Sequence, residues 1–174
     1  MTSQAEPIAT GVPAQAIVAE IKKLGVDHVV CIPDSYQKTL IALIRDDPAF
    51  RFMIACTEDE AIGINAGLYM GGKNPMLVIQ NNGIFASINT IKAIALDAKI
   101  PTLMLVGQFQ RDPMIAMEEN RSRAVRMVEP TLDTWGVPSY RLEGSQDIGN
   151  IEKAYRTAHE TMGPAAVIVG APTT

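Results

Sequence analysis

Six short apolar runs, each set off from the next by a segment of helical periodicity, constrain this chain more than any other feature. They are DHVVCIP, RFMIAC, PMLVIQ, PTLMLVG, VPSYRLE and PAAVIVGAP. Short runs rich in Val, Ile and Leu suit strands covered on both faces, which antiparallel hairpins seldom supply. Between them lie PAQAIVAEIKKLG, SYQKTLIALIRDD, EDEAIGINAGLYMGG, IFASINTIKAIALDA, a short VEPTLDTWG and DIGNIEKAYRTAHETMG, all readable as helices. Strand and helix in strict alternation predict an α/β fold: an open, mostly parallel six-stranded sheet with helices on both faces and flavodoxin-like layering. At 174 residues and 47% hydrophobic composition the chain builds one core, not two. The expected domain is 11–174, preceded by a flexible N-terminal arm, 1–10. The polar stretch between 107 and 127 has no clean period and is expected to be a loop or lid.

Several function classes fall away. The net charge of −4 carries no basic block and aromatics make up only 5%, which suits neither a phosphate-tracking groove nor a base-stacking platform, so no nucleic acid is expected. The most apolar region, IKAIALDAKIPTLMLVG, is interrupted by Lys92, Asp97, Lys99 and Pro101, so no membrane span is expected. Without a secretory leader pattern, and with Cys31 and Cys56 expected to be buried small hydrophobes, a cytoplasmic protein is anticipated. No GxGxxG follows the first strand and no GxxxxGK[ST] occurs, so neither a dinucleotide nor a P-loop nucleotide site is indicated. His28 and His159 stand alone, too few for a triad or a metal centre.

Open α/β sheets bind ligands at the carboxyl ends of their strands. Here those ends read IPDS (32–35), CTED (56–59), IQNNG (79–83) and GQFQRD (107–112), all polar. CTED opens three consecutive acids, Glu58, Asp59 and Glu60. Thr57 with Glu60 makes a T-x-x-E capping box, and Asp59 in the first turn is expected to be a solvated complement to the helix dipole. Glu58 is left for either another dipole role or chemistry. Gly63, Gly67 and Gly71 recur every four residues, a smooth helix face that another backbone can approach closely; glycine's low helix propensity requires some such return.

Together these segments resemble a family. Glu58, Gly63 and Gly67 within EDEAIGINAGLYMGGKNPMLVIQNNG, with IPDS before and IPTLMLVGQFQRD after, are similar to the pyrimidine-binding domain of thiamine diphosphate-dependent 2-oxo acid decarboxylases. The similarity is good over 11–112 and looser beyond, and it is nearest in look to the separate α subunits of the sulfopyruvate and phosphonopyruvate types. The resemblance implies that Glu58 is catalytic and shares a proton with the aminopyrimidine ring, with Thr57, Asn82 and Gly83 also at the cofactor. It implies that Asp34, Ser35, Gln80 and Asn81 face substrate, a small 2-oxo acid such as sulfopyruvate or phosphonopyruvate, cleaved to the aldehyde and carbon dioxide. Those relatives carry an arginine-glycine pair after the fourth strand, where this chain has Gln108, Phe109, Gln110 and Arg111, so a bidentate anion clamp is not implied. Arg111, Arg121 and Arg123 are then expected to be solvated charges of the lid.

The same resemblance implies half an enzyme. The family holds Mg2+ and the cofactor diphosphate with a G-D-G and a downstream asparagine on a second domain; this chain has no G-D-G. A β subunit carrying that domain, in an α2β2 or higher hetero-oligomer, is therefore implied, with no metal ligand on this chain. Two other outcomes stay open at this level: a carboligase subunit that makes an acyloin, and a non-catalytic flavodoxin-like binding or structural subunit.

Overall fold

The computed structural model of the chain describes residues 11–174; the arm expected at 1–10 lies outside them. Six strands, β1 (His28–Cys31), β2 (Arg51–Ile54), β3 (Pro75–Gln80), β4 (Thr102–Gly107), β5 (Ser139–Leu142) and β6 (Pro164–Val169), form one sheet in the order β2-β1-β3-β4-β6-β5, and every pair is parallel. The main helices are α1 (Ala14–Lys23), α2 (Lys38–Asp46), α3 (Glu58–Met70), α4 (Asn81–Thr90), which continues as π-turns over Ile91–Asp97, α5 (Arg123–Thr134) and α6 (Gly149–Thr161). No helix of the described residues is long and apolar enough to cross a membrane.

Strand residues alternate between two cores because successive side chains leave opposite faces of the pleat. Val29, Cys31, Met76, Val78, Leu105 and Val167 pack under α1, α2 and α6. Val30, Leu77, Ile79, Met104, Val106 and Ile168 pack under α3, α4 and α5. Burial in this first core pushes the Cys31 thiol up to about 12, which makes it an inert hydrophobe. Cys56 is different: it lies exposed in the turn before α3, contrary to the expectation from sequence.

Two helix ends follow directly from glycine. After α1, Gly25 at φ 74° lets Val26 N–H reach Ile21 O at 3.1 Å; after α3, Gly72 at φ 76° lets Lys73 N–H reach Leu68 O at 3.0 Å. Both are Schellman stops, and a side chain would be strained at either left-handed position.

β2 is a sheet edge, not a buried strand: Arg51 is exposed and Ile54 is 66% exposed. Phe52 and Met53 stay partly buried against the two cores, and only β1 pairs with the strand. Glu58 therefore follows an edge strand. The glycine face of α3 is likewise uncovered within this chain; a Cβ at Gly63 or Gly67 would meet nothing within 4 Å. No helix of the described chain fills the face that the spacing had reserved for one. The segment after β4 is irregular up to α5 except for a single turn at Met117–Glu119. It is pinned at its far end: Asn120 donates to Asp112 O at 2.9 Å, Arg126 donates to Arg121 O at 2.9 Å, and Arg141 is paired with Glu118 and Glu129.

Candidate active site

The strand order reverses direction between β1 and β3 and again between β4 and β6, and crevices open where it does. Register sets the height of the floor. Gln80 of β3 stands level with Gly107 of β4, which stands level with Val169 of β6. The next residue on each strand, Asn81, Gln108 and Gly170, forms a ledge across the carboxyl edge. Asn81 is buried and donates to Gln108 Oε1 and to Phe109 O, both at 3.2 Å, so the β3 and β4 exits are tied together. Gln108 is fully buried and its Nε2 has no partner among the described residues.

Three glycines on this ledge or just past it owe their identity to a charged side chain from elsewhere. A Cβ at Gly83 would overlap the Glu58 carboxyl group, one at Gly107 would overlap Asp34 Oδ2, and one at Gly170 would overlap the Arg111 guanidinium. Each glycine is a cradle, and each holds a different charge.

Glu58 is the first residue of α3 and lies against the first turn of α4, half-buried. Its carboxylate makes no side-chain hydrogen bond among the described residues. Its neighbours are otherwise engaged: Glu60 accepts from Cys56 N–H at 2.7 Å, and Thr57 binds Asp59, whose carboxyl is held low first by that bond. The capping box is accordingly corrected. Thr57 is the N-cap residue but its side chain caps no helix amide, and Glu60 closes the turn one residue earlier. Glu58 remains the acid of the first turn of α3 that lies against Gly83.

Asp34, in the loop after β1, is buried, accepting from Tyr36 N–H at 3.0 Å and Gln37 Nε2 at 3.1 Å. Burial raises its carboxyl, partly offset by those two bonds. Gln37, fully buried, also donates to Ile79 O at 2.8 Å and so clips α2 to the end of β3. Ser35 next to it is exposed and lines a groove of about 290 Å3 with Pro33, Lys38 and Ile41. Gln80 Oε1 accepts from Asn82 Nδ2 at 3.1 Å, and Asn82 is exposed.

The structure thus brings Glu58 against Gly83, links Asn81 to Gln108, and sets Asp34 under Gly107, while Thr57 and Ser35 turn outward. Gln37, Gly107 and Gly170 were not singled out from the sequence; the strand-final position of Gly107 was the one available signal. Arg111 corrects an expectation outright. It is no solvated lid charge: its side chain is fully buried, with Nη2 2.7 Å from Glu143 Oε1. Among the described residues no three His, Cys, Asp or Glu side chains gather as a metal site would require.

This fold, with an acid at the start of α3 aimed across a glycine of α4, places the chain in a known class. Residues 13–117 match the family described as thiamine pyrophosphate enzyme, N-terminal TPP binding domain, and the chain belongs to it. Among curated relatives it is 32% identical to sulfopyruvate decarboxylase subunit alpha of Methanocaldococcus jannaschii, over 72% of this chain and 73% of that protein. It is 26% identical to the subunit of the same name from Methanothermobacter thermautotrophicus, over 79% and 85%. Phosphonopyruvate decarboxylase of Streptomyces viridochromogenes is 33% identical over 53% of this chain, but only 23% of that longer protein is covered.

Proposed function

We propose that this chain is the pyrimidine-binding α subunit of a two-chain thiamine diphosphate-dependent decarboxylase acting on a small 2-oxo acid of the sulfopyruvate or phosphonopyruvate kind. The single observation that carries the reading is the Glu58 carboxyl group held over Gly83 with no partner of its own. The donor set fits the cofactor's aminopyrimidine: a free carboxylate, a glycine that leaves room for a flat ring, and the Asn82 amide within the same turn.

Thiamine diphosphate, when bound, supplies the electron sink that loss of carbon dioxide from a 2-oxo acid requires. Glu58 holds and returns a proton at its carboxylate oxygen, the service a positioned general acid and base provides. Gly83 leaves that oxygen its place by offering no side chain, and Thr57 and Asn82 would hold the edge of the bound ring. Ser35 and Gln80 orient the substrate, with Asn81 and Asp34 fixing the ledge beneath. Neutral amides bind an anion here without a buried cation, in keeping with an Arg111 already paired.

Magnesium and the diphosphate belong to a β subunit in this reading. Support comes from the two relatives named subunit alpha. The complex is a hetero-oligomer of at least two of each chain and works in the cytoplasm. Co-expression with the β subunit, followed by a panel of 2-oxo acids with thiamine diphosphate and Mg2+, tests it: the pair should release carbon dioxide and the isolated chain should not. Turnover by the isolated chain would overturn the two-chain account.

A further inference from the structure

Arg111 is a buried charge that the chemistry above does not use. Its side chain has no exposure, and its guanidinium meets Glu143 at 2.7 Å without hydrogen-bond alignment, so the contact is Coulombic. Its other nitrogens find no partner among the described residues. A pair so poorly satisfied contributes little to stability, and well-packed apolar side chains in its place would serve as well or better. The backbone also works to bring Arg111 inward: Gln110 takes the left-handed φ of 67°, which is uncommon for a residue with a side chain, and Arg111 N–H closes the turn onto Gln108 O at 3.0 Å.

What the guanidinium reaches is the second reversal of the sheet. It occupies the space above Gly170, where a Cβ would stand, just beyond β6, while Glu143 comes from the end of β5. Gly170 O accepts from the Tyr36 hydroxyl at 3.2 Å. Tyr36 O in turn accepts from Thr173 N–H at 3.0 Å, and Thr173 Oγ1 accepts from Leu40 N–H at 3.3 Å. The segment after β6 is therefore the wall on which the loop after β1 hangs, and Arg111 is wedged behind that wall. Burial raises the Tyr36 hydroxyl while Arg111 draws it down, a mark of their closeness.

We propose that Arg111 is a positioning residue: paired with Glu143 and seated on Gly170, it fixes the post-β6 segment, and through Tyr36 it sets where Asp34 and Ser35 stand. The link to substrate rests on the reading of Ser35 given above; the brace itself does not. The anion that would otherwise attract this arginine is Glu143, so its task is geometry and not recognition of a substrate tail.

The test uses three variants: Arg111→Met, Arg111→Met/Glu143→Leu, and Tyr36→Phe. Amide hydrogen exchange is read on the chain, and KM and kcat are read on the assembled pair. Losing one anchoring contact should speed exchange at Tyr36 and Gln37 roughly tenfold, with β3 and β4 unaffected. In the assembled enzyme KM for the 2-oxo acid should rise by about the same factor, with kcat changed less. The double variant leaves no unpaired charge, so it should regain the thermal midpoint while keeping the fast exchange and the raised KM. Tyr36→Phe, which leaves the ion pair intact, should reproduce the exchange effect. Wild-type exchange at Tyr36 and Gln37 in the double variant would overturn the proposal. If the wild-type pair turns over no 2-oxo acid, the functional reading fails, and the exchange data still decide the brace.

Discussion

Replacing Gly83 with alanine separates the working position of Glu58 from the stability of the fold. Gly83 is in the first turn of α4 and its φ is on the ordinary helical side, so alanine suits the backbone and gains about 0.8–1 kcal/mol of helix propensity. The new methyl group, however, falls on Glu58 Cγ, Cδ and Oε1. Glu58 is half-buried and unbonded, so it can swing toward water at a rotamer cost of about 0.5–1.5 kcal/mol. The two terms nearly cancel. The melting temperature of Gly83→Ala should stay within roughly 4 °C of wild type. Turnover should not survive: displacing a catalytic group by about 1 Å costs on the order of 100-fold. Calorimetry on the isolated chain and single-turnover kinetics on the assembled pair read the two quantities. A variant that keeps its stability and turns over within about threefold of wild type would refute the reasoning, since Glu58 would then be working from somewhere other than the Gly83 cradle.

Gly107→Ala makes the contrast. Its Cβ would fall on Asp34 Oδ2 and come within 3.0 Å of Gln37 Nε2, both fully enclosed, and neither can swing to solvent. A loss of about 1–3 kcal/mol in urea unfolding is expected, and an unchanged midpoint would contradict the packing described. Asp34→Asn should flatten the acid limb of the stability profile. The folded-state carboxyl lies above its ordinary value, so the folded chain binds the proton more tightly; wild-type stability falls as pH rises from the ordinary carboxylate range to the raised value, then levels. Asparagine still accepts from Tyr36 N–H and lacks that decline, so its stability relative to wild type should climb across the same window. Urea titrations from acid to neutral pH check this, and a pH-independent difference would remove the buried-carboxyl argument.

The architecture was largely written in the spacing of apolar runs. PMLVIQ coincides with β3 residue for residue, and parallel pairing followed from continuous burial of β3, β4 and β6. Helix starts were harder. α4 begins at Asn81, inside a stretch that reads as turn formers, because Asn81 Oδ1 accepts from Asn82 N–H and starts the helix locally. α5 begins at Arg123 and runs through Pro130, although its buried stripe of Val125, Val128 and Leu132 is helical in spacing; the polar letters between hid it. The candidate site was legible where its residues are local in sequence. Glu58 could be isolated by asking which acids cap the helix, even though the cap closes differently. Arg111 could not, since its partner Glu143 enters from another strand and no local pattern announces a long-range pair.

The central claim is that Glu58 exchanges a proton with the cofactor bound at a seam between this chain and a partner. Hydrogen–deuterium exchange at the reactive ring carbon of thiamine diphosphate, followed by NMR in the assembled pair, measures that service without any substrate. Glu58→Gln should fold, assemble and hold the cofactor while its exchange slows by about 100-fold or more, the range a positioned acid and base commands. Exchange at the wild-type rate in a variant that still holds the cofactor would contradict the account.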